Sequence, residues 1–418
     1  MIMRTLIKKI QGIGLLILLF GGIGCSSKSE QKRDLPLPQD SAGVTGTINT
    51  PSSFAIEKIE NVKVYMENSA SMKGYNVDDC KGFTSVVSEL VGVYGRSQTM
   101  GYFYSDKLDG GHSAKEFSDM IAEKTVKYGK SSILDVICDS IISNNESISF
   151  LITDGIMSGP DEKVTGTKYN IEYAPELQKN LENVIKMKGR NYAISVYQFT
   201  SNFEDVYYCY DNKRIRLKKT IRPFYVIAIG KKNCVTDFYN KVKSGLEYFK
   251  PVNQIHFGIF EYPCKVLFSA GPLAEVKDTI FYVDVSRVRK NNKQFELSTC
   301  LDMLPDYMCT DSYIKQNSKL TYNSIVQSND SLMFNLRSNT LRIKLSLLNL
   351  QKKGELLYIL SYAYPQWCKS SSCLDDHEIQ KDLFPTTFNL EYLIRAFHNG
   401  IESEANVIEV KYNIIKKQ

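Results

Sequence analysis

The sequence predicts an α/β protein, in which a doubly wound, mostly parallel sheet is followed by a β-rich C-terminal domain. From about residue 58 to residue 250, short apolar runs alternate with segments of helical periodicity, and several of these runs are apolar throughout. Such runs are typical of parallel strands that helices cover on both faces. Beyond residue 250, candidate strands follow one another, which favours an antiparallel sheet or a sandwich.

The elements of the first part follow from the spacing of apolar residues. Strands are predicted at Val62–Met66, Tyr102–Tyr104, Ile148–Thr153, Tyr192–Phe199 and Phe224–Ile229. Helices are predicted around Phe83–Val91 behind the candidate caps Asp78 and Asp79, around Phe117–Ile121 and Ile133–Ile141, from Pro175 through Leu177–Ile185, and around Phe238–Leu246.

The second part contains mainly strand patterns. They lie at Gln254–Phe260, Thr279–Asp284, Ser331–Asn335, Leu341–Leu347, Glu355–Ser361 and Val407–Ile415. One helix is predicted at Leu390–Phe397, with Thr387 or Asn389 as its cap and Gly400 as its end. Because 418 residues are too many for one ordinary core, we expect two domains, residues 58–250 and 251–418.

A basic stretch and a short apolar run open the chain. Residues 13–20 are too few to span a bilayer, so residues 1–24 are predicted to be an export signal. The run closes on "GGIGCSS", which resembles the lipobox of bacterial lipoproteins. This resemblance implies that Cys25 carries a diacylglyceryl group and anchors the protein to a bacterial membrane. A conventional cleaved signal and a transmembrane anchor are the alternatives.

The segment after Cys25 is polar and rich in Ser, Thr, Pro and Gly, so residues 25–57 are predicted to be a lipidated, flexible tether. The lipid anchor implies an extracytoplasmic location. The outer membrane or the cell surface is favoured, and the inner membrane is the alternative.

Charge and motif content argue against several classes of function. The net charge is +6, and three positive charges precede residue 25, which leaves about +3, too little to indicate nucleic acid. Residues 207–225 mix cations with aromatic residues, but Ile215 and Leu217 alternate with basic residues. This alternation predicts a hairpin with one solvated face. Contact with single-stranded nucleic acid, or with anionic lipid or glycan, is the alternative. No catalytic motif is present, so we do not expect an enzyme.

Nine cysteines remain beyond Cys25, so at least one stays unpaired within the chain. Cys138 falls on the apolar side of a predicted helix, where burial as a small hydrophobe is expected. The segment "CKSSSC" makes Cys368 and Cys373 a candidate disulfide. A zinc site with His377 is the alternative, although no second ligand pair with suitable spacing follows.

Oxygen-bearing side chains follow two predicted strands and precede one helix. In an extended segment, residues i, i+2 and i+4 share a face, so "ENSAS" can present one carboxylate and two hydroxyls together. Ligands of open α/β sheets bind at the C-terminal ends of the strands, and hard oxygen ligands suit Mg²⁺, Ca²⁺ or Mn²⁺. The candidate metal ligands are Glu67, Ser69, Ser71, Ser131, Ser132 and Asp154.

These motifs resemble the metal-ion-dependent adhesion site of von Willebrand factor A domains, over about residues 58 to 250. That family carries D-x-S-x-S after the first strand, a Thr in a Gly-containing loop, and the Asp of T-D-G after the fourth strand. "ENSAS" matches the first motif with Glu67 in place of Asp. In "GKSSILDVI", Ser131 is the better-registered substitute for Thr and Ser132 is the second choice; Asp154 in "TDG" matches the third motif.

The resemblance implies a divalent cation held by oxygens of the protein, with one coordination position left for a carboxylate of a partner protein. We therefore expect a membrane-anchored lipoprotein that binds a partner offering an acidic residue. The alternative is a metal-free structural component of a cell-envelope or surface assembly. A hydrolase that uses a metal at the same edge is a third interpretation, for which the sequence offers no general base beside the hydroxyls.

Overall fold

The computed structural model describes residues 59–417, apart from residues 78–80, 131, 133, 145, 157–166, 189–190, 210–212, 272, 278, 288–293, 380–384 and 403–405. The described residues belong to one compact unit, residues 53–418. The predicted export signal, Cys25, the tether 25–57 and the candidate caps Asp78 and Asp79 lie outside the described residues. Among the helices in the described ranges, none is long and apolar enough to cross a membrane.

Seven strands form the first sheet, in the order β3-β2-β1-β4-β6-β5-β7. They are β1 Val62–Glu67, β2 Thr99–Tyr104, β3 Leu108–Ser113, β4 Ile148–Thr153, β5 Tyr192–Tyr208, β6 Arg214–Lys231 and β7 Asn253–Phe257. All five strands predicted between residues 58 and 250 are present, although β5 and β6 are much longer than expected. Strand β3 was not predicted, because its sequence LDGGHS is polar and rich in glycine.

The sheet is mixed, so the prediction of a mostly parallel sheet is wrong in this respect. Strand β1 is parallel to β2 and to β4. The other four pairings, β2–β3, β4–β6, β5–β6 and β5–β7, are antiparallel. The reason is that β5 and β6 form a long hairpin whose second strand pairs with β4. The parallel arrangement was inferred from strands that are apolar on both faces. Here helices cover the antiparallel strands on both faces too, so these strands are equally apolar.

Helices cover both faces of this sheet. Those of the first part are α1 Lys81–Gly92, α2 Ala114–Ala122, α3 Leu134–Ser143, α4 Thr167–Lys188 and α5 Lys232–Ser244. Apolar side chains of α1, α2 and α5 pack on one face, and those of α3 and α4 on the other. Helix α4 begins earlier than predicted, and Pro175 lies inside it rather than at its start.

The second part adds two further sheets and a small strand pair. Its strands are β8 Ser269–Ala270, β9 Ala274–Lys277, β10 Ile280–Asp284, β11 Gln294–Cys300, β12 Ser318–Tyr322, β13 Ile325–Val326, β14 Leu332–Asn335, β15 Thr340–Ser346, β16 Lys353–Ser361, β17 Ser372–Cys373, β18 Thr387–Phe388 and β19 Asn406–Lys417. Sheets β13-β12-β16-β19-β10-β9 and β14-β15-β11-β8 share one apolar core. Except for the parallel pair β10–β19, neighbouring strands in these two sheets are antiparallel.

Among the described residues of the second part, the α-helices are α6 Asp311–Asn317, α7 Gln366–Ser370 and α8 Leu390–Ile401. Helix α8 packs on the face of the first sheet that also carries α3 and α4, while β7 forms the edge of that sheet. The cap Asn389 is left-handed and makes no side-chain cap bond, and Gly400 lies inside α8 rather than ending it. Residues beyond 250 thus complete the first sheet.

Candidate functional site

The C-terminal ends of β1 and β4 bring Glu67 and Asp154 together. The two strands are parallel neighbours with Met66 opposite Ile152, so Glu67 lies beside Thr153 and Asp154 follows. The Thr153 hydroxyl donates to Glu67 Oε2 at 2.5 Å and accepts from the Gly155 N–H at 2.9 Å. Both carboxyl residues are buried, with exposed fractions of 3% for Glu67 and 5% for Asp154.

Ser69 and Ser71 contact this cluster, but not as residues of an extended strand, as the sequence predicts. Strand β1 ends at Glu67, and a 3-10 turn over Ala70–Tyr75 begins directly after Ser69. The alternation of an extended strand therefore does not continue to Ser71. The two serine hydroxyl oxygens are nevertheless 2.9 Å apart. The Ser69 hydroxyl interacts with Glu67, and the Ser71 hydroxyl interacts with Asp154.

The turn that carries Ser71 is fixed by the β5–β6 hairpin. A Cβ atom at Gly74 would lie 2.4 Å from the ring of Phe203, so only glycine allows the turn to approach this closely. The Tyr75 hydroxyl donates to the carbonyl of Pro223 at 2.5 Å. The position of the serine hydroxyls thus depends on a hairpin more than 120 residues further along the chain.

The loop before α3 supplies the third part of the site. Asn68 Nδ2 donates to the Lys127 carbonyl at 2.6 Å, and the Gly129 N–H donates to the Asn68 carbonyl at 2.8 Å. These bonds hold the loop beside Glu67, whose carboxylate interacts with the Ser132 hydroxyl. Ser131, the better-registered candidate, lies outside the described residues.

Burial raises the pKa of both carboxyl groups. Desolvation raises the pKa of Glu67 to about 8, and the charge of Asp154 adds to this rise, while the hydroxyls of Ser69, Thr153 and Ser132 partly offset it. Burial also raises the pKa of Asp154. The Ser71 hydroxyl and the Ile156 N–H, which donates to Asp154 Oδ1 at 3.1 Å, lower this pKa and partly offset the rise. Two adjacent buried carboxylates favour binding of a cation, either a proton or a metal ion.

A buried arginine lies beside the carboxylates and was missed by the sequence analysis. Arg222 is 3% exposed, and its charge lowers the pKa of Asp154. Its Nη2 donates to the Thr386 carbonyl at 2.5 Å, and its guanidinium lies over the ring of Tyr207, 5.0 Å from the centroid. Arg222 therefore joins the site, the hairpin and the segment that precedes α8. No local motif marks it, because Ile221 and Pro223 flank it and its partner Thr386 is distant in sequence.

The donor set suits a hard divalent cation. Five of the six predicted ligand residues are described, and they bring two carboxylates and three hydroxyls into one cluster, which Thr153 extends. Within the described ranges, no group of three or more His, Cys, Asp or Glu residues could hold a metal ion. A metal at this edge would therefore depend on hydroxyl ligands in addition to Glu67 and Asp154.

The structure also places the cysteines, His377 and the hairpin that the sequence singles out. Cys138 is fully buried in α3, as predicted. Cys368 is a buried free thiol, whose pKa is raised by desolvation, and it is not bridged to Cys373. The ring of His377 faces Asp375, with Nδ1 3.1 Å from a carboxylate oxygen. The predicted hairpin around Ile215 is present as the outer part of β5 and β6.

Comparison with protein-family models, with curated proteins and with solved structures finds no match to this chain.

Proposed function

We propose that this protein is a lipid-anchored, extracytoplasmic bacterial protein that binds a partner protein through a divalent cation. In this proposal its first part is a doubly wound, von Willebrand factor A-like domain, and the cation is Mg²⁺, Mn²⁺ or Ca²⁺. The observation that carries the proposal is the convergence of Glu67, Asp154 and three serine hydroxyls at one sheet edge. The lipid anchor on Cys25 and the location rest on the sequence alone.

In this proposal the cluster serves binding rather than catalysis. Glu67 and Asp154 would supply the negative charge that holds the ion, while Ser69, Ser71 and Ser132 would contribute neutral oxygens. The bound ion would supply an electrophilic centre for an external carboxylate. Since hydroxyl ligands add no charge, and since Arg222 offsets part of the charge of Asp154, the loaded site would favour an anionic partner group.

A second candidate function is a metal-free structural module of a cell-envelope or surface assembly. The raised pKa of Glu67, about 8, favours this alternative because a protonated Glu67 and the Asp154–Arg222 pair can neutralise the cluster without an ion. In that case the hydroxyls and carboxyls would only stabilise the loops at the edge of the sheet through hydrogen bonds.

Metal titration by calorimetry separates the two functions. Residues 53–418, which form one compact unit, are titrated with Mg²⁺, Mn²⁺ and Ca²⁺ beside the variants Asp154→Ala and Asp109→Ala. Asp109 is an exposed residue of β3 and serves as the matched control. We expect saturable binding to the unchanged protein and to Asp109→Ala. Asp154→Ala is expected to bind more than about tenfold more weakly, because it loses a charged ligand.

The absence of binding to every form would contradict the metal-dependent proposal and favour the structural module. Equal affinity of the unchanged protein and Asp154→Ala would place any metal site elsewhere. Turnover of generic ester or phosphoester substrates, lost in Asp154→Ala, would instead support the hydrolase interpretation.

A further inference from the structure

Three large apolar side chains are exposed at one end of the two C-terminal sheets. Strand β12 ends, β16 begins and β19 ends at this end, since β16 is antiparallel to both neighbours. The segment between β15 and β16 closes the same end. The exposed fractions are 71% for Leu348 in this segment, 67% for Ile325 and 65% for Val326. Several large apolar side chains exposed at the same end of a sheet are a candidate contact surface.

Hydrogen bonds hold the apolar segments in place. Asn323 and Ser324 have positive φ angles of 49° and 64° and form the tight turn before Ile325. The Asn323 N–H donates to the Glu355 carbonyl at 2.8 Å. From the closing segment, the Gln351 N–H donates to the Tyr322 hydroxyl at 3.1 Å. These hydrogen bonds therefore hold the turn and the closing segment at the same end of the sheet.

Uncompensated lysines border the apolar residues. Lys352 and Lys353 are exposed, and the Lys416 N–H donates to the Lys352 carbonyl at 3.0 Å, which brings a third lysine to the same end. None of these lysines pairs with an acidic side chain among the described residues. The neighbouring Glu355 is paired with Lys411 at 2.7 Å, and Glu275 is paired with Lys417 at 3.3 Å. We call the six residues Ile325, Val326, Leu348, Lys352, Lys353 and Lys416 the apolar–basic end.

We propose that the apolar–basic end contacts an anionic lipid bilayer. Apolar side chains that enter the headgroup region beside lysines are typical of proteins that lie on membranes. Three apolar side chains are few for a stable protein interface, which buries about 800 Å² on each partner, but they suffice for shallow insertion. Positive charge at the rim favours phosphate-bearing headgroups over a neutral surface.

This contact is independent of the metal site, which lies on the first sheet. It would give the second part of the chain a function that no motif indicates. A diacylglyceryl group carries two acyl chains, which together give stable anchoring. If Cys25 is acylated as predicted, the apolar–basic end adds a contact that orients the protein on the bilayer.

Vesicle co-sedimentation of residues 53–418 tests the proposal without any lipid anchor. Vesicles of phosphatidylcholine alone are compared with vesicles of phosphatidylcholine and phosphatidylglycerol in equal parts. We expect binding to the anionic vesicles only. The triple variant Lys352→Gln, Lys353→Gln, Lys416→Gln is expected to weaken binding about fivefold per lysine, which corresponds to about 1 kcal/mol for each basic side chain near an anionic surface.

The variant Leu348→Asp tests the apolar part and is expected to weaken binding at least about tenfold. Leu267→Asp is the matched control, because Leu267 is 83% exposed but lies at the opposite end of β11, where its carbonyl accepts from Thr299. No binding to anionic vesicles, or equal loss in Leu348→Asp and Leu267→Asp, would overturn the proposal. Concentration-dependent dimers that Leu348→Asp abolishes would overturn it in favour of contact between two copies.

Discussion

The extra methylene of Glu67 determines what its carboxylate can contact. Strand β1 ends at this residue, and the longer side chain reaches the Thr153 hydroxyl on the neighbouring strand at 2.5 Å. Thr153 in turn accepts from the Gly155 N–H, so the first oxygen-bearing loop is coupled to the turn that carries Asp154. Glu67, which stands where the motif it resembles has Asp, therefore links the end of β1 to the turn after β4 through Thr153.

The raised pKa of Glu67 predicts how stability varies with pH in the absence of metal. Its pKa rises from the usual 4.5 to about 8 on folding, so between these values the folded state binds more protons than the unfolded state. The stabilising effect of this proton is fully present below pH 4.5 and is lost as the pH rises through about 8. Glu67→Gln should remove this dependence, which amounts to about 1.4 kcal/mol per pH unit within that window.

Urea unfolding in a chelating buffer at several pH values measures the effect. Glu116→Gln is the matched control, because Glu116 is exposed and its pKa is lowered by the Ser113 N–H and hydroxyl in the capping box of α2. A pH dependence of unfolding that is the same in Glu67→Gln and in the unchanged protein would contradict the prediction.

At the scale of elements, the turn after β4 has little freedom. Gly155 has a φ angle of +73°, and a Cβ atom there would lie 2.7 Å from Cδ2 of Tyr225. The Tyr225 ring cannot easily move, because its hydroxyl is hydrogen-bonded to Gln198 and Thr387. The backbone that follows Asp154 is therefore compatible only with glycine.

Gly155→Ala should accordingly destabilise the protein through two effects that a control can separate. Gly95 has a φ angle of +94° with no atom within 4 Å of an added Cβ, so Gly95→Ala reports the backbone strain alone, about 1–2 kcal/mol. Gly155→Ala should cost about 1–3 kcal/mol more, because it also overpacks the contact with Tyr225. Chemical unfolding measures both variants; equal costs would show that the turn yields to the added methyl group.

Sequence patterns identified the C-terminal ends of β1 and β4, but not the directions of the strands that follow β4 in this sheet. Glu67 and Asp154 were assigned to one edge because strands β1 and β4 are strongly apolar and end in polar residues, and the structure places them there. The antiparallel pairing of β6 with β4 was not predictable from periodicity, because a strand covered on both faces is apolar in either direction. Arg222 was missed for a related reason, since its burial depends on residues about 160 positions later.

At the scale of the whole molecule, the second part of the chain contributes to the first sheet. Strand β7 pairs with β5, and α8 buries Leu390, Leu393, Ile394 and Phe397 beside α3 and α4. Between β17 and α8 the chain also contacts the candidate site, where Thr386 accepts from Arg222.

We predict that a chain ending at residue 250 does not fold independently. Each of the four buried apolar side chains of α8 contributes about 1.5–3 kcal/mol, and their sum is comparable with the whole stability of a typical domain, about 5–15 kcal/mol. Removal of α8 would also expose the apolar side chains of α4 that pack against it. Residues 53–250 should therefore aggregate or lack a cooperative thermal transition by circular dichroism, whereas residues 53–418 should unfold cooperatively. A monomeric fragment that unfolds cooperatively would instead establish residues 58–250 as an independent domain.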